Sequence, residues 1–142
     1  MAKRFTREEI KQRFQASIDA GQPIVVASAG IGIAAKFAER GGADMIGLFN
    51  SSYLGLGRVE ATSLMPYGNA NDIVMSLGDR IFPVVQNTPI LGGIIGSDPT
   101  REMTPFLKIM QFKGFPAVIN FPSPGFAYGQ HRRNLERNNY GV

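Results

Sequence analysis

The chain has no cysteine, no apolar run long enough to span a bilayer, and a single histidine among its 142 residues. The lack of cysteine excludes disulfides, thiolate metal sites and cysteine nucleophiles; it leaves the compartment open, and the cytoplasm is the expected one. Without a spanning segment, no membrane partner is expected. The charged first residues have no apolar segment behind them, so we expect no signal peptide.

Charged residues are also somewhat scarce, at 18%, and the net charge of +4 comes from two basic clusters. The clusters are Lys3, Arg4, Arg7, Lys11 and Arg13 near the start, and His131, Arg132, Arg133 and Arg137 near the end. No nucleic-acid-binding motif accompanies them, so we interpret them as solvated helix faces and expect no nucleic-acid partner. His131 is accordingly expected to be a solvated surface histidine.

Four strand-then-helix units follow an N-terminal helix, for which Thr6 and Glu9 form a capping-box pattern. Residues 1–21 are predicted to form a capping helix and residues 22–142 the four units. Strands are predicted at 23–28, 44–50, 89–96 and 116–121, and helices at 33–40, 71–82, from 104 onward and at 130–137. The predicted inward faces of the first three unit helices are Ile33, Ala34, Phe37 and Ala38; Ile73, Val74, Leu77 and Ile81; and Phe106, Leu107 and Met110.

This alternation of strands and helices predicts an α/β fold with a parallel sheet, because parallel strands need crossover helices. Eight such units close a TIM (β/α)8 barrel, so four units predict a half-barrel. The outer strands of a four-stranded sheet would be open, apolar edges. We therefore expect the chain to be held by a second copy, as a homo-oligomer, or by a missing C-terminal half.

Ligands of parallel α/β folds bind beyond the carboxyl ends of the strands. That rule selects the polar and glycine residues that follow each predicted strand. They are Ser28, Gly30 and Gly32; Asn50, Ser51, Tyr53, Arg58 and Tyr67; Gly96, Ser97 and Asp98; and Asn120 and Ser123.

Asp98 is the only carboxylate directly at a predicted strand end. It could act as a general acid or base, or as a single metal ligand. Because Pro99 follows it, Asp98 also fits a capping position at a turn. No second strand-end carboxylate pairs with it, so neither a glycosidase-type pair nor a two-metal site is indicated.

Asn50 and Asn120 end two apolar runs. Each is predicted to point into the mouth, the open end of the barrel at the carboxyl ends of the strands, and to hold a substrate oxygen there. The alternative is that each satisfies the backbone of its own loop. Gly30 and Gly32 could let backbone amides approach a phosphate at a helix N-terminus, or could simply form a tight turn. The dinucleotide fingerprint is incomplete, since Ala35 and Lys36 follow.

Four segments together resemble the phosphoenolpyruvate hydrolase-like TIM-barrel family, itself similar to indole-3-glycerol-phosphate synthase barrels. They are Ala34-Ala35-Lys36-Phe37-Ala38-Glu39-Arg40-Gly41-Gly42-Ala43-Asp44, Leu64-Met65-Pro66-Tyr67-Gly68-Asn69-Ala70-Asn71, Gly96-Ser97-Asp98-Pro99 and Asn120-Phe121-Pro122-Ser123. Family members are about twice this length, so the resemblance implies the N-terminal half of the barrel. The chain departs from the usual glycine- and serine-rich loop at 58–63.

The resemblance implies a hydrolase or lyase acting on a small phosphorylated or carboxylated acid. Mg²⁺ is the implied cofactor, with Asp98 as its one candidate ligand. Asp98, Asn120 and Asn50 would be the catalytic residues, and Arg58 and Tyr67 would close over the anion. Ser28, Gly30, Gly32, Ser51, Gly96 and Ser97 would complete the substrate site. The alternative is a non-catalytic module that binds a metabolite or nucleotide, related to a domain of a plant virus-resistance protein.

Overall fold

The computed structural model describes residues 3–54, 68–121, 123, 125 and 127–138, with only the backbone at positions 53 and 54. The strands are β1 (Val26–Ser28), β2 (Met45–Leu48), β3 (Ile90–Ile94) and β4 (Ala117–Asn120). The α-helices are α1 (Arg7–Asp19), α2 (Gly32–Arg40), α3 (Ala70–Ile81), α4 (Met103–Lys113) and α5 (Gly129–Arg137). A 3₁₀ turn, Asn50–Leu54, follows β2.

The four described strands form one parallel sheet in the order β1-β2-β3-β4. Neighbours in the sheet are therefore neighbours in the sequence, as in a TIM barrel. Each strand is followed by a helix, and the predicted α/β half-barrel is confirmed. The strands are two or three residues shorter than predicted, because the sequence pattern does not mark where sheet pairing ends.

Helix α1 lies at the edge of the sheet where the strands begin. Its N-terminus has the expected capping box: the Glu9 backbone N–H donates to Thr6 Oγ1 (3.2 Å), and the Thr6 N–H donates to Glu9 Oε2 (2.7 Å). Arg13 donates to the Asn87 carbonyl (2.8 Å), just before β3. The Asp44 carboxylate accepts from the Val25 N–H (2.8 Å) and so joins the starts of β1 and β2.

The main core lies between the sheet and helices α2, α3 and α4. On the sheet side it contains Ile46, Leu48, Ile90 and Ile94, which alternate along β2 and β3. Helix α3 contributes Val74, Leu77 and Ile81, each with no exposed surface. This confirms the predicted face of α3, with Ile73 half-buried beside it.

The opposite face of the central strands is covered by aromatic side chains. The Phe49 ring lies over Gly47 and Gly93, where a Cβ atom would overlap it. Phe121 meets Phe49 edge to face, with ring centroids 5.1 Å apart. The two glycines therefore make room for one ring on the face that would form the interior of a barrel.

Two helices differ from their predicted faces. In α2, Ala35 is fully buried, whereas Ile33 and Phe37 are 62% and 59% exposed. Glu39, near the end of this short helix, attaches it to the segment before β3, since its carboxylate accepts from the backbone N–H groups of Gln86 and Asn87.

In α4, Phe106 and Met110 are buried as expected, but Leu107 is 38% exposed. The helix begins at Met103, one residue before the predicted start, with Glu102 as its N-cap residue. Pro105 is tolerated there because the first four N–H groups of a helix have no partner inside it.

We expect Ile81→Ala to lower the free energy of unfolding by roughly 2–5 kcal/mol, because it removes a fully buried side chain and leaves a cavity. The matched control is Ile109→Ala on α4, where the side chain is 55% exposed. It should change stability by less than about 0.5 kcal/mol. Urea unfolding followed by circular dichroism measures both, and equal effects would contradict this description of the core.

Candidate functional site

The end of β1 and the turn after β2 meet through two serine hydroxyls. Ser28 Oγ and Ser52 Oγ are 2.8 Å apart, and Ser52 is 8% exposed. Gly30 lies against the same turn, because a Cβ at this position would overlap the Ser52 carbonyl oxygen. Close packing therefore accounts for glycine here without a phosphate, as the tight-turn alternative anticipated. Sequence reasoning did not select Ser52.

The other predicted substrate residues lie along the same edge. Gly32 is the first residue of α2, where an added Cβ would lie 3.3 Å from a Val84 methyl. Asn50 and Ser51 are half-buried in the 3₁₀ turn, and Ser97 is half-buried in the turn after β3. Arg58 and Tyr67 lie outside the described residues, and so does the side chain of Tyr53.

Asp98 lies in the turn between β3 and α4, and its side chain is only 6% exposed. Thr100 donates to Oδ1 from both its backbone N–H (2.9 Å) and its hydroxyl (2.6 Å). Oδ2 accepts from Asn69 Nδ2 (3.0 Å), Asn71 Nδ2 (2.9 Å) and Arg101 Nε (2.6 Å). Both carboxylate oxygens are therefore occupied by donors from the protein itself.

These contacts determine the ionisation of Asp98. Burial raises the pKa of its carboxyl group, but the hydrogen bonds from Thr100, Asn69 and Asn71 outweigh burial and hold the pKa well below its ordinary value. Asp98 is therefore an anion near neutral pH. A group with such a low pKa is a poor general base and is not protonated to act as a general acid.

Asn71 links the start of α3 to the end of β3 and is completely buried. Its Oδ1 accepts from the Ile95 N–H (2.9 Å), and its Nδ2 donates to the Ile95 carbonyl (3.2 Å) as well as to Asp98. The side chain thus pairs with both polar groups of one residue, much as a neighbouring strand would. Asn69 caps α3, because its Oδ1 accepts from the N–H groups of Asn71 (2.9 Å) and Asp72 (3.2 Å).

Arg101 completes this cluster and balances its charge. Besides Asp98, its guanidinium contacts Asp72 Oδ1 (3.1 Å), and it lies 4.8 Å from the centre of the Phe106 ring. Its side chain is 20% exposed. We call Asn69, Asn71, Asp98, Thr100 and Arg101 the Asp98 cluster. It joins the chain entering α3 to the turn after β3.

Asn120 was predicted to point into the mouth from the end of β4. The register pairs Asn120 with Ile94, whose side chain belongs to the helix-covered core, so Asn120 lies on that face of the sheet. Its Oδ1 accepts from the Gly96 N–H (3.0 Å), which matches the loop-backbone alternative. Asn120 and Gly96 thus join the ends of β3 and β4. Ser123 is half-buried, and its Oγ accepts from the Gly125 N–H (3.1 Å).

Within the described part of the chain, no group of three or more His, Cys, Asp or Glu residues could hold a metal ion. Asp98 does not fit Mg²⁺, because five hydrogen bonds occupy both of its oxygens. The carboxyl edge of the sheet instead carries hydroxyl and amide side chains, among them Ser28, Asn50 and Ser97. These groups suit the oxygens of an anionic ligand.

Several of these residues had a partial signal in the sequence. Asn69 has the residue type and position of an N-cap, and Thr100 follows Asp98 at the spacing of an Asx turn. Asn71 and Arg101 had no such signal, because Asn71 contacts the segment after β3 and Arg101 also pairs with Asp72 on α3. His131 lies exposed on α5, as expected.

A parallel sheet in sequential order, helices packed on one face, and polar side chains gathered at the carboxyl ends define half of a TIM-type barrel. None of the described helices is both long and apolar enough to cross a membrane. The chain belongs to the phosphoenolpyruvate hydrolase-like family, which matches residues 9–142. The family resemblance read from the sequence is thus confirmed.

Curated relatives include a plant and a bacterial protein. The chain is 41% identical over 136 residues to the ToMV resistance protein Tm-1(GCR237) of Solanum lycopersicum, covering 95% of this chain and 18% of that protein. It is 33% identical over 135 residues to the putative transcriptional regulatory protein y4pA of Sinorhizobium fredii, covering 92% of this chain and 22% of that protein. The chain therefore spans about a fifth of the length of these relatives.

We expect Asp98→Asn to lower the free energy of unfolding at pH 7 by roughly 2–4 kcal/mol, because its amide would place a donor among donors. The loss of stability caused by Asp98→Asn should depend on pH. The folded pKa of Asp98 lies below the unfolded value of about 3.9, so its stabilisation is complete above that value and is lost as the pH falls further.

Urea unfolding at several pH values between 6 and 3 tests this expectation. The parent protein should lose stability steeply below about pH 4, and the variant less steeply. Asp79→Asn is the control, because Asp79 also forms an ion pair but is 68% exposed; it should cost less than about 1 kcal/mol. Parallel pH profiles for the parent and Asp98→Asn would show that Asp98 does not carry the acid dependence.

We expect Gly30→Ala to lower stability by roughly 1–3 kcal/mol without any ligand, because the new methyl group displaces the Ser52 backbone. Gly32→Ala is the matched control. Its methyl group would meet only the movable Val84 side chain, and alanine favours the helix. Thermal unfolding compares the two. If both variants were as stable as the parent, packing would not explain the glycine at position 30.

Proposed function

We propose that this chain contributes half of the mouth of a TIM-barrel enzyme, a hydrolase or lyase that acts on a small phosphorylated or carboxylated acid. The observation that carries the proposal is the character of the carboxyl edge. Among the described residues its strand-end carboxylate is Asp98, which is buried and paired with Arg101, while Ser28 and Ser52 bring neutral hydroxyl groups to the strand ends. Such an edge favours an anion over a cation.

In this proposal Asp98 is a positioning residue. Its low pKa argues against proton transfer, and its contacts suit it to hold the two neighbouring loops in a fixed relation. Asn50, Ser51 and Ser97 remain the proposed contacts to substrate oxygens, while the N–H of Gly96 is donated to Asn120 and fixes the turn that carries Ser97. Arg58 and Tyr67 remain the proposed groups that close over the anion.

A second candidate is a binding module that uses the same mouth for a metabolite or nucleotide without turnover. Its supporting observation is again the locked state of Asp98, because no other carboxylate follows directly from a described strand end. The names of two relatives, a virus-resistance protein and a putative transcriptional regulatory protein, also describe roles other than catalysis. Only the fate of a bound ligand separates the two candidates.

We expect one of three probes, phosphoenolpyruvate, phosphonopyruvate or ATP, to raise the melting temperature of the chain. At a probe concentration of one hundred times Kd, binding adds about 2.7 kcal/mol to the free energy of unfolding. Ser28→Ala should weaken binding about tenfold, because it removes a hydroxyl from the mouth. Ser76→Ala, an exposed serine on α3, is the control and should bind as the parent does.

Phosphorus NMR of the same samples then shows whether the bound probe is consumed. Consumption supports the enzyme, and a stabilising probe that remains unchanged supports the binding module. If no probe stabilises the chain, or if Ser28→Ala and Ser76→Ala behave alike, the assignment of this edge as an anion-binding mouth is wrong.

A further inference from the structure

The two serine hydroxyls that meet at the end of β1 lie in different surroundings. Ser28 is exposed, whereas Ser52, in the turn after β2, is 8% exposed. Their oxygens are 2.8 Å apart, and in the described part of the chain neither hydroxyl has a second hydrogen-bond partner. Two hydroxyl protons are therefore present for a single hydrogen bond, and one proton is left over.

Burial decides which of the two serines donates. If Ser28 donated to Ser52, the proton of Ser52 would be buried without an acceptor, and an unsatisfied buried donor costs free energy. If Ser52 donates to Ser28, the remaining proton belongs to the exposed serine, where solvent or a ligand can accept it. The second arrangement is therefore the more stable one, and it leaves Ser28 as a donor toward the outside.

The backbone holds both hydroxyls in place. The Ser52 N–H donates to the Phe49 carbonyl (2.9 Å), which closes the turn after β2. The Ala29 N–H donates to the Gly47 carbonyl (3.1 Å), so the pairing of β1 with β2 continues past Ser28. The contact between the two hydroxyls is thus built on two fixed segments of the chain.

The register of the sheet shows which face carries Ser28. Ser28 is paired with Gly47, and the residues on either side of Gly47, Ile46 and Leu48, belong to the core beneath the helices. Because side chains alternate along a strand, Ser28 lies on the opposite face, which forms the interior of a barrel. It is also the last residue of β1, so its hydroxyl lies at the mouth.

From these observations we propose that Ser52 is a positioning residue, which donates to Ser28 and holds the Ser28 hydroxyl as a donor toward a ligand oxygen. Ser28 then accepts from Ser52 while it donates to the ligand, and consecutive hydrogen bonds of this kind strengthen each other. The pair favours ligands that present an acceptor, such as a carboxylate or phosphate oxygen. The ligand part of this inference rests on the proposed function, whereas the direction of the hydrogen bond does not.

Exchange of the hydroxyl protons tests the direction without any ligand. In the full chain labelled with ¹³C-serine and dissolved in a mixture of H₂O and D₂O, a slowly exchanging hydroxyl gives two Cβ signals and a fast one gives a single averaged signal. We expect two signals for Ser52, because its proton is buried and donated, and one for Ser28. Ser76, exposed on α3, is the control and should give one signal. Backbone resonance assignment identifies the signals, so the test needs no variant.

A double-mutant cycle tests the positioning role, with phosphoenolpyruvate as the probe and calorimetry as the measurement. Ser52→Ala should weaken binding by about three- to fivefold, although Ser52 itself does not touch the ligand. In a chain that already carries Ser28→Ala, the same change should have no further effect, because the hydroxyl through which Ser52 acts is absent. Circular dichroism verifies that the variants are folded.

The outcomes separate this inference from the proposed function. A single signal for Ser52, or two signals for Ser28, would overturn the direction of the hydrogen bond. An equal loss of affinity on Ser52→Ala with and without Ser28 would overturn the positioning role, since a merely structural residue acts in this way. Slow exchange at Ser52 in a chain that binds none of the three probes would support the direction. It would contradict the proposed function and the ligand part that rests on it.

Discussion

A parallel strand needs a neighbour at each edge and a packed layer on each face, and this requirement organises the whole chain. Within the described residues only β2 and β3 satisfy it. They lie between α3 on one face and the Phe49 ring on the other. Helix α1 contacts the segments that begin these strands, and the Asp98 cluster ties down the segment that follows β3. The central pair is thus the part to which the other elements are attached.

The turn at the candidate mouth is held in place by the Asp98 carboxylate, which is buried and yet ionised. Burial alone would favour neutral Asp98, yet five donors surround the carboxylate, so the charged form is the stable one. The fixed carboxylate then orders two loops that are far apart in sequence. Both carboxylate oxygens already accept hydrogen bonds from the protein, so Asp98 has none left for a ligand. The groups suited to a ligand are therefore the neutral side chains around it.

Much of the fold was readable from the sequence because it depends on local patterns. The capping box at Thr6, the face of α3 and the sequential parallel sheet all follow from residue spacing. The buried face of α2 was predicted only in part, and the contact of Glu39 with Gln86, 47 residues away, has no local signal in the sequence. The candidate site shows the same division. Ser28, Ser97 and Asn120 lie at or just after strand ends, as the residue spacing predicts, but two of the groups that hold Asp98, Asn69 and Asn71, come from the chain entering α3.

The Phe49 ring, which lies over Gly47 and Gly93, has a consequence for how this sequence can vary. The three side-chain positions share one volume, although Gly47 and Gly93 lie on neighbouring strands and are 46 residues apart in the sequence. A larger side chain at either glycine requires a smaller one at position 49, and a smaller one at 49 leaves a void that glycine cannot fill. Among relatives, substitutions at positions 47, 49 and 93 should therefore occur together. A motif of neighbouring residues would not reveal this coupling, because position 93 is distant in the sequence.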